Sequence, residues 1–200
     1  MKNFTFKLRL ADIAVIIGTA LLVVILKLIG VTEIPENSLV ENIQLIALCV
    51  GIFFCFFTRN NPEYKTLNRF IAMILVLMFL RELSYGRCIF CKIDGNPHEF
   101  YSWKHYQYGY LAHIFVGLYI AAVVIYGFVN KIFIQAWNAL TTVKFPVISA
   151  ILAVISIIST FYGEKVVDSS FVEEIAELSV YSIIACVIFY YNDVLSKPNA

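Results

Sequence analysis

Six stretches of this chain, at about 10–29, 40–57, 67–86, 109–129, 145–162 and 171–191, are long and predominantly apolar. A helix needs about 20 such residues, at about 1.5 Å each, to cross a hydrocarbon core about 30 Å thick. Six of them leave little else in 200 residues and restrict the chain to an all-α, polytopic membrane helical bundle, a single integral domain of six transmembrane helices. Composition argues the same way. Hydrophobic residues make up 60% and charged residues 14%, too little polar surface to cover a soluble core of this length. A net charge of +1 with no basic face excludes nucleic acid as a partner, and five cysteines, an odd number, do not make a disulfide scaffold. The lipid bilayer is the expected surrounding.

The boundaries follow from the punctuation between the stretches. Lys2, Lys7 and Arg9 precede the first, as in a signal peptide, but no small-x-small cleavage site follows it, so an uncleaved anchor helix is expected. Thr58-Arg59-Asn60-Asn61-Pro62 ends the second. The third is purely apolar only from Phe70 to Leu80 and must continue through Arg81 and Glu82 to about Gly86 to cross. Between the fourth and fifth, Gln135, Asn138, Thr141 and Thr142 alternate with Ile132, Phe133, Trp137 and Leu140, which predicts an amphipathic interfacial helix at about 131–144.

Counting Lys and Arg across six spans gives the orientation. With both termini cytoplasmic, nine basic residues lie inside and six outside, so the cytoplasmic (plasma) membrane with N-terminus and C-terminus inside is expected. Of the fourteen acids, Asp12, Glu63 and Asp193 then fall inside and the other eleven outside.

An ionisable group in the hydrocarbon costs about 2.5 to 3.5 kcal/mol even on the lenient insertion scale, so each one needs a partner, a cavity or a use. Measured from the cytoplasmic ends of their helices, Arg81 and Glu177 lie about 21 Å deep with Glu82 one residue beyond Arg81, Gln44 about 20 Å and His113 about 24 Å. Glu41, Tyr85 and Arg87 lie just above, with Glu164, Asp168, Glu173 and Glu174. Helical spacing puts Glu41 with Gln44, Arg81 with Tyr85 and Cys88, and Glu173 with Glu177 on shared faces. Arg81 and Glu82 point about 100° apart, so Arg81 is expected to pair across helices with Glu177 or Glu41 rather than with its neighbour. An outward-facing polar cavity is the economical arrangement. Its acids outnumber Arg81 and Arg87, which suits a small polar or cationic ligand, or a lipid headgroup, for transport or membrane-linked processing. In this reading Glu82 and Glu177 carry ligand or proton, Arg81 is the counter-charge, His113 a hydrogen-bonding or proton-transfer partner, and Tyr85 and Gln44 orient. Buried ion pairs that only fix helix packing are the competing reading, which would make the chain a structural membrane subunit.

Two further patterns bear on an enzyme. Cys88-Ile89-Phe90-Cys91 is a CxxC between Arg87 and Lys92, and flanking cations favour thiolate. In placement it is similar to the CxxC of quinone-linked membrane oxidoreductases that form disulfide bonds; those use a second cysteine pair on the same side, whereas Cys49, Cys55 and Cys186 fall within spans. Thiol-disulfide exchange at Cys88 and Cys91 and a carboxylate and histidine hydrolase are the enzyme alternatives. His98, His105 and His113 have no metal-ligand spacing, so no metal is expected and no cofactor is indicated. Tyr101, Trp103, Tyr106, Tyr108 and Tyr110 form an aromatic belt.

The segment Leu80-Arg81-Glu82-Leu83-Ser84-Tyr85-Gly86-Arg87, with Phe100 to Lys104 and Tyr108 to His113, resembles segments of small multi-pass bacterial membrane proteins. The resemblance covers about a fifth of the chain and implies no activity. It groups Arg81, Glu82, Tyr85, Arg87 and His113 as a unit. Without an inverted repeat, 200 residues fall short of a self-sufficient secondary transporter, so a homodimer or a partner membrane subunit is expected.

Overall fold

The structure is a computed structural model that describes residues 4–35, 38–56, 64–93, 96–106 and 109–196. It is all-α in its body. The helices are α1 (Leu10–Leu28), α2 (Leu39–Phe56), α3 (Lys65–Glu82), α4 (Arg87–Phe90), α5 (Tyr110–Val129), α6 (Ile132–Thr142), α7 (Val147–Tyr162) and α8 (Ser170–Ser196). A π-helical turn, Gly163–Val167, extends α7. Four helices are long and apolar enough to cross a membrane: α1, α2, α5, and α7 with its extension. The long helices α3 and α8 carry Arg81 and Glu82, and Glu173, Glu174 and Glu177.

Burial explains the arrangement. Large apolar side chains such as Leu21, Ile25, Phe115, Leu118, Ile125, Phe128, Ile155 and Ile158 are exposed, while Asp12, Gln44, Asn68, Glu82, Ser149 and Glu177 are buried. Apolar outside and polar inside suits a hydrocarbon surrounding, where every polar group has to find its partner within the protein. At 27 residues α8 is about 40 Å long and central, packed on α1, α2 and α7. Leu48 and Cys55 of α2, Ala72 and Leu75 of α3, and Val180, Tyr181 and Ile188 of α8 form one core cluster. Gly51 lets α2 approach here, since a Cβ would stand 3.1 Å from Leu75 Cδ1.

The smaller elements tie the ends. β1 (Phe4–Thr5) runs parallel to β4 (Phe145–Pro146), with Phe4 opposite Phe145, and so joins the segment before α1 to the segment before α7. β2 (Lys92–Ile93) and β3 (Asn96–Phe100) form an antiparallel hairpin after α4. α6 starts after Lys131, which is left-handed at φ 50°, and packs Ile132 and Ala139 on Tyr64 and Leu67.

The third apolar stretch departs from expectation. Helix α3 stops at Glu82, and Ser84, Tyr85 and Gly86 follow with φ of 47°, 53° and 91°. Two consecutive non-glycine residues in the left-handed region cost about 1 to 2 kcal/mol each and break the helix direction. Arg81, Tyr85 and Cys88 therefore do not share a helix face, because the i, i+4, i+7 argument requires a continuous helix through Ser84.

Candidate functional site

The polar groups of the α3 and α8 ends meet because the two helices run in opposite directions. Asn68 Nδ2 donates to Asn192 Oδ1 at 3.2 Å, and thirteen residues further along α3 Arg81 Nη2 donates to Glu177 Oε1, fifteen residues back along α8. Asn192 Nδ2 also donates to the Phe54 carbonyl at 2.9 Å, which fastens α2 to the same helix.

Arg81 serves two carboxylates. Besides Glu177, it donates from Nε to Glu82 Oε1 at 3.1 Å, and the Tyr181 hydroxyl donates to that same oxygen at 2.6 Å. The pairing of Arg81 with Glu177 agrees with the sequence expectation, whereas the pairing of Arg81 with its neighbour Glu82 corrects it. The Cβ directions do diverge, but the long guanidinium side chain folds back to a carboxylate that Tyr181 holds in place. Glu82 and Glu177 are buried and Arg81 is the open part of the network, its side chain 52% exposed.

One turn toward the start of α8, Gln44 of α2 joins. Its Nε2 donates to the Glu174 carbonyl at 2.9 Å and to Glu174 Oε2 at 2.8 Å, and the side chain has no exposed surface. Glu174 lies within electrostatic range of Glu177, Glu82 and Glu41. The layer thus gathers Glu82, Glu174 and Glu177 around a single bonded cation, Arg81, among the described residues. Glu174 and Tyr181 were not singled out as site residues from sequence. Their signal was the spacing of Glu174, Glu177 and Tyr181, i, i+3 and i+7 on one helix face.

Other expected members lie apart. His113 is exposed on α5, and no hydrogen bond joins it or Tyr85 to the network among the described residues. Arg87, half-buried, acts on Cys91 instead. The side chains of Cys88 and His98 lie outside the described residues, and His105 is exposed with its ring 5.5 Å from that of Tyr101. No group of three or more His, Cys, Asp or Glu close enough to hold a metal ion occurs among the described residues.

Cys91 is a fully buried free thiol. Burial pushes it above its ordinary value, and the Tyr106 hydrogen bond and the Arg87 charge offset this only in part. Less thiolate at neutral pH means slower attack on a disulfide or an alkylating agent. Iodoacetamide is accordingly expected to label Cys91 of the folded protein at least about tenfold more slowly than a free thiol. Peptide mapping by mass spectrometry reads this, and labelling at the free-thiol rate would contradict it.

A second polar cluster lies at the opposite end of the bundle. Asp12 accepts from Arg9 Nε at 3.1 Å, Arg9 Nη2 at 2.9 Å, the Arg9 backbone N–H at 3.1 Å and Ser149 Oγ at 2.7 Å. Arg9 also lies 4.8 Å from the Tyr190 ring centroid. Both Asp12 oxygens are matched by donors, so the cluster is a clasp between α1, α7 and α8. Grooves of about 290 to 700 Å³ lie elsewhere and are mostly apolar; one of about 350 Å³ lies between α3, α6 and α8, bordered by Leu67, Phe70, Ile132, Ala139 and Ile188. None of these is lined by Arg81, Glu82 or Glu177.

No family model, curated protein or solved structure matches the chain. Chemically, the layer around Arg81 is rich in acceptors and net acidic, and it can take a proton or a cationic head.

Proposed function

We propose that this is a six-span protein of the cytoplasmic membrane, with both termini cytoplasmic, whose acidic layer binds a small polar or cationic ligand or lipid headgroup for transport or membrane-linked processing. One observation carries the reading: Glu82 and Glu177 share one guanidinium while the Glu174 carboxyl, beside them, is bonded among the described residues only to the Gln44 amide. An ion pair that served packing alone would match charges one to one, because an uncompensated carboxylate in a low-dielectric layer is costly. A surplus of carboxylate is balanced by protons or by a bound cation. Arg81 is the counter-charge, Glu82, Glu174 and Glu177 are the ligand carboxylates, Gln44 orients Glu174, and Glu41 adds negative charge from the next turn of α2. The six-span topology with cytoplasmic ends gives the layer an outer-side position. A second copy of the chain or a partner membrane subunit completes the assembly, since no internal repeat supplies the paired halves that secondary transporters use.

The test is a titration of full-length protein in phosphatidylcholine nanodiscs with small organic ammonium salts, read by thermal unfolding. The wild-type chain is expected to gain stability with ligand concentration. Glu177→Gln retains an acceptor for Arg81 and is expected to remain folded, but its apparent affinity falls at least about tenfold, as for loss of one charged hydrogen-bonding partner. A Glu177→Gln variant that binds as well as wild type removes the reading. A carboxy-terminal reporter found outside the cell removes the topology.

A further inference from the structure

The Gln44 carboxamide holds an orphan. Its Nε2 faces two oxygens, the carbonyl and Oε2 of Glu174, so the amide orientation is set: exchanging N and O would press Oε1 against both. Among the described residues, Oε1 is left buried with no hydrogen-bond partner. A buried acceptor without a donor costs about 1 to 3 kcal/mol, and such a group in a native site calls for an explanation.

Its surroundings say what is lacking. Gln44 has no exposed surface, Glu174 beside it is half-buried, and Glu41, Glu82 and Glu177 lie within electrostatic range of Glu174. Gln44 Oε1 is an acceptor, and Glu82, Glu174 and Glu177 around it are acidic residues. A cationic donor supplies both the hydrogen bond that Oε1 lacks and the charge that offsets the carboxyl surplus. The two aromatic residues of this end of α8 are engaged elsewhere: Lys27 Nζ lies over the Phe171 ring at 4.1 Å, and Tyr181 donates to Glu82. A quaternary ammonium has no N–H and is recognised by aromatic faces, whereas a primary ammonium offers three donors in a compact head.

We infer that the ligand head taken by the acidic layer is a primary ammonium, which enters past Glu174 and donates to Gln44 Oε1 and the Glu174 carboxylate with Glu177 as the second negative charge. The inference rests on the reading above that the layer takes a cationic head and narrows it to one class. Free alkylamines and the ethanolamine headgroup of a bilayer lipid present the same chemistry.

Two comparisons on the full-length protein test it. In phosphatidylcholine nanodiscs, ethylammonium is expected to raise the unfolding temperature with an apparent affinity at least about tenfold better than that of tetramethylammonium, the factor expected for one charged hydrogen bond. Gln44→Met, which keeps the side-chain length and removes the acceptor, is expected to abolish that preference. In the second arm, phosphatidylethanolamine replaces phosphatidylcholine. A rise in unfolding temperature without added amine that also weakens the ethylammonium response identifies the lipid headgroup as the source of the ammonium; an unchanged response identifies the free amine.

Equal stabilisation by ethylammonium and tetramethylammonium overturns the primary-ammonium assignment and leaves the cationic reading standing. Stabilisation by neither ammonium ion and by neither lipid overturns both. Because the wild-type comparison of the two ammonium ions stands by itself, a Gln44→Met variant that failed to fold would leave the inference open to refutation; a folded one that kept the preference would overturn it.

Discussion

Asp12→Leu is expected to destabilise the protein by about 3 kcal/mol, at the lower end of the range for breaking a buried ion pair from one side. The carboxylate is 1% exposed and neutralises Arg9, whose side chain is 14% exposed, while accepting from Ser149 as well. Removal strands a nearly enclosed guanidinium between α1, α7 and α8. Replacing both partners tests the cause. Arg9→Met with Asp12→Leu is expected to recover most of the loss, because two apolar side chains strand no charge. Ser149→Ala should cost about 2 kcal/mol, since its buried hydroxyl donates to Asp12 and accepts from Arg9 Nη2 at 2.6 Å, while Asp12 and Arg9 keep each other. Denaturant unfolding in mixed micelles measures all of these. A double variant as unstable as Asp12→Leu alone would show that packing volume, not the stranded charge, governs the clasp.

Arg81→Met is expected to cost about 2 kcal/mol. The full range for a buried pair, about 3 to 5 kcal/mol, is discounted because the guanidinium is 52% exposed and partly screened. Even so, it leaves Glu82 and Glu177 buried beside Glu174 with no bonded cation among the described residues. Adding Glu177→Gln to Arg81→Met is expected to restore at least about 1 kcal/mol through relief of carboxylate repulsion. Additive losses in that double variant would mean that the two side chains do not act on each other. The Asp12 and Arg81 sets also separate two kinds of buried charge. In the clasp, donors and acceptors balance and substitution should alter stability alone. In the acidic layer they do not balance, so Glu177→Gln should alter ligand response more than stability.

Several elements were legible in the sequence for a clear physical reason. The starts and ends of α1, α2 and α5 coincide with the apolar stretches because an isolated helix in hydrocarbon has to satisfy its own backbone over a length fixed by the bilayer. The break after Glu82 was not legible, since Leu83-Ser84-Tyr85 contains no proline or glycine and only Gly86 hints at a turn. In the site, the shared depth of Arg81, Glu82, Glu177 and Gln44 came from counting along each helix. His113 has a comparable depth and remains outside, because depth says nothing of the direction in which α5 presents that residue.

The sequence by itself determined an all-α chain with apolar helices of membrane length and a small charged minority among them. Those properties depend on local composition and on a rise of about 1.5 Å per residue, both read one helix at a time. Only the tertiary structure decided which charges meet: Arg81 with Glu177 across 96 positions, Gln44 with Glu174 across 130, and Asp12 with Ser149 across 137. Such pairs depend on how each helix is turned about its axis and against which neighbour it packs. That rotation is decided by the whole bundle at once, through interdigitating side chains from several helices, and no single segment records it.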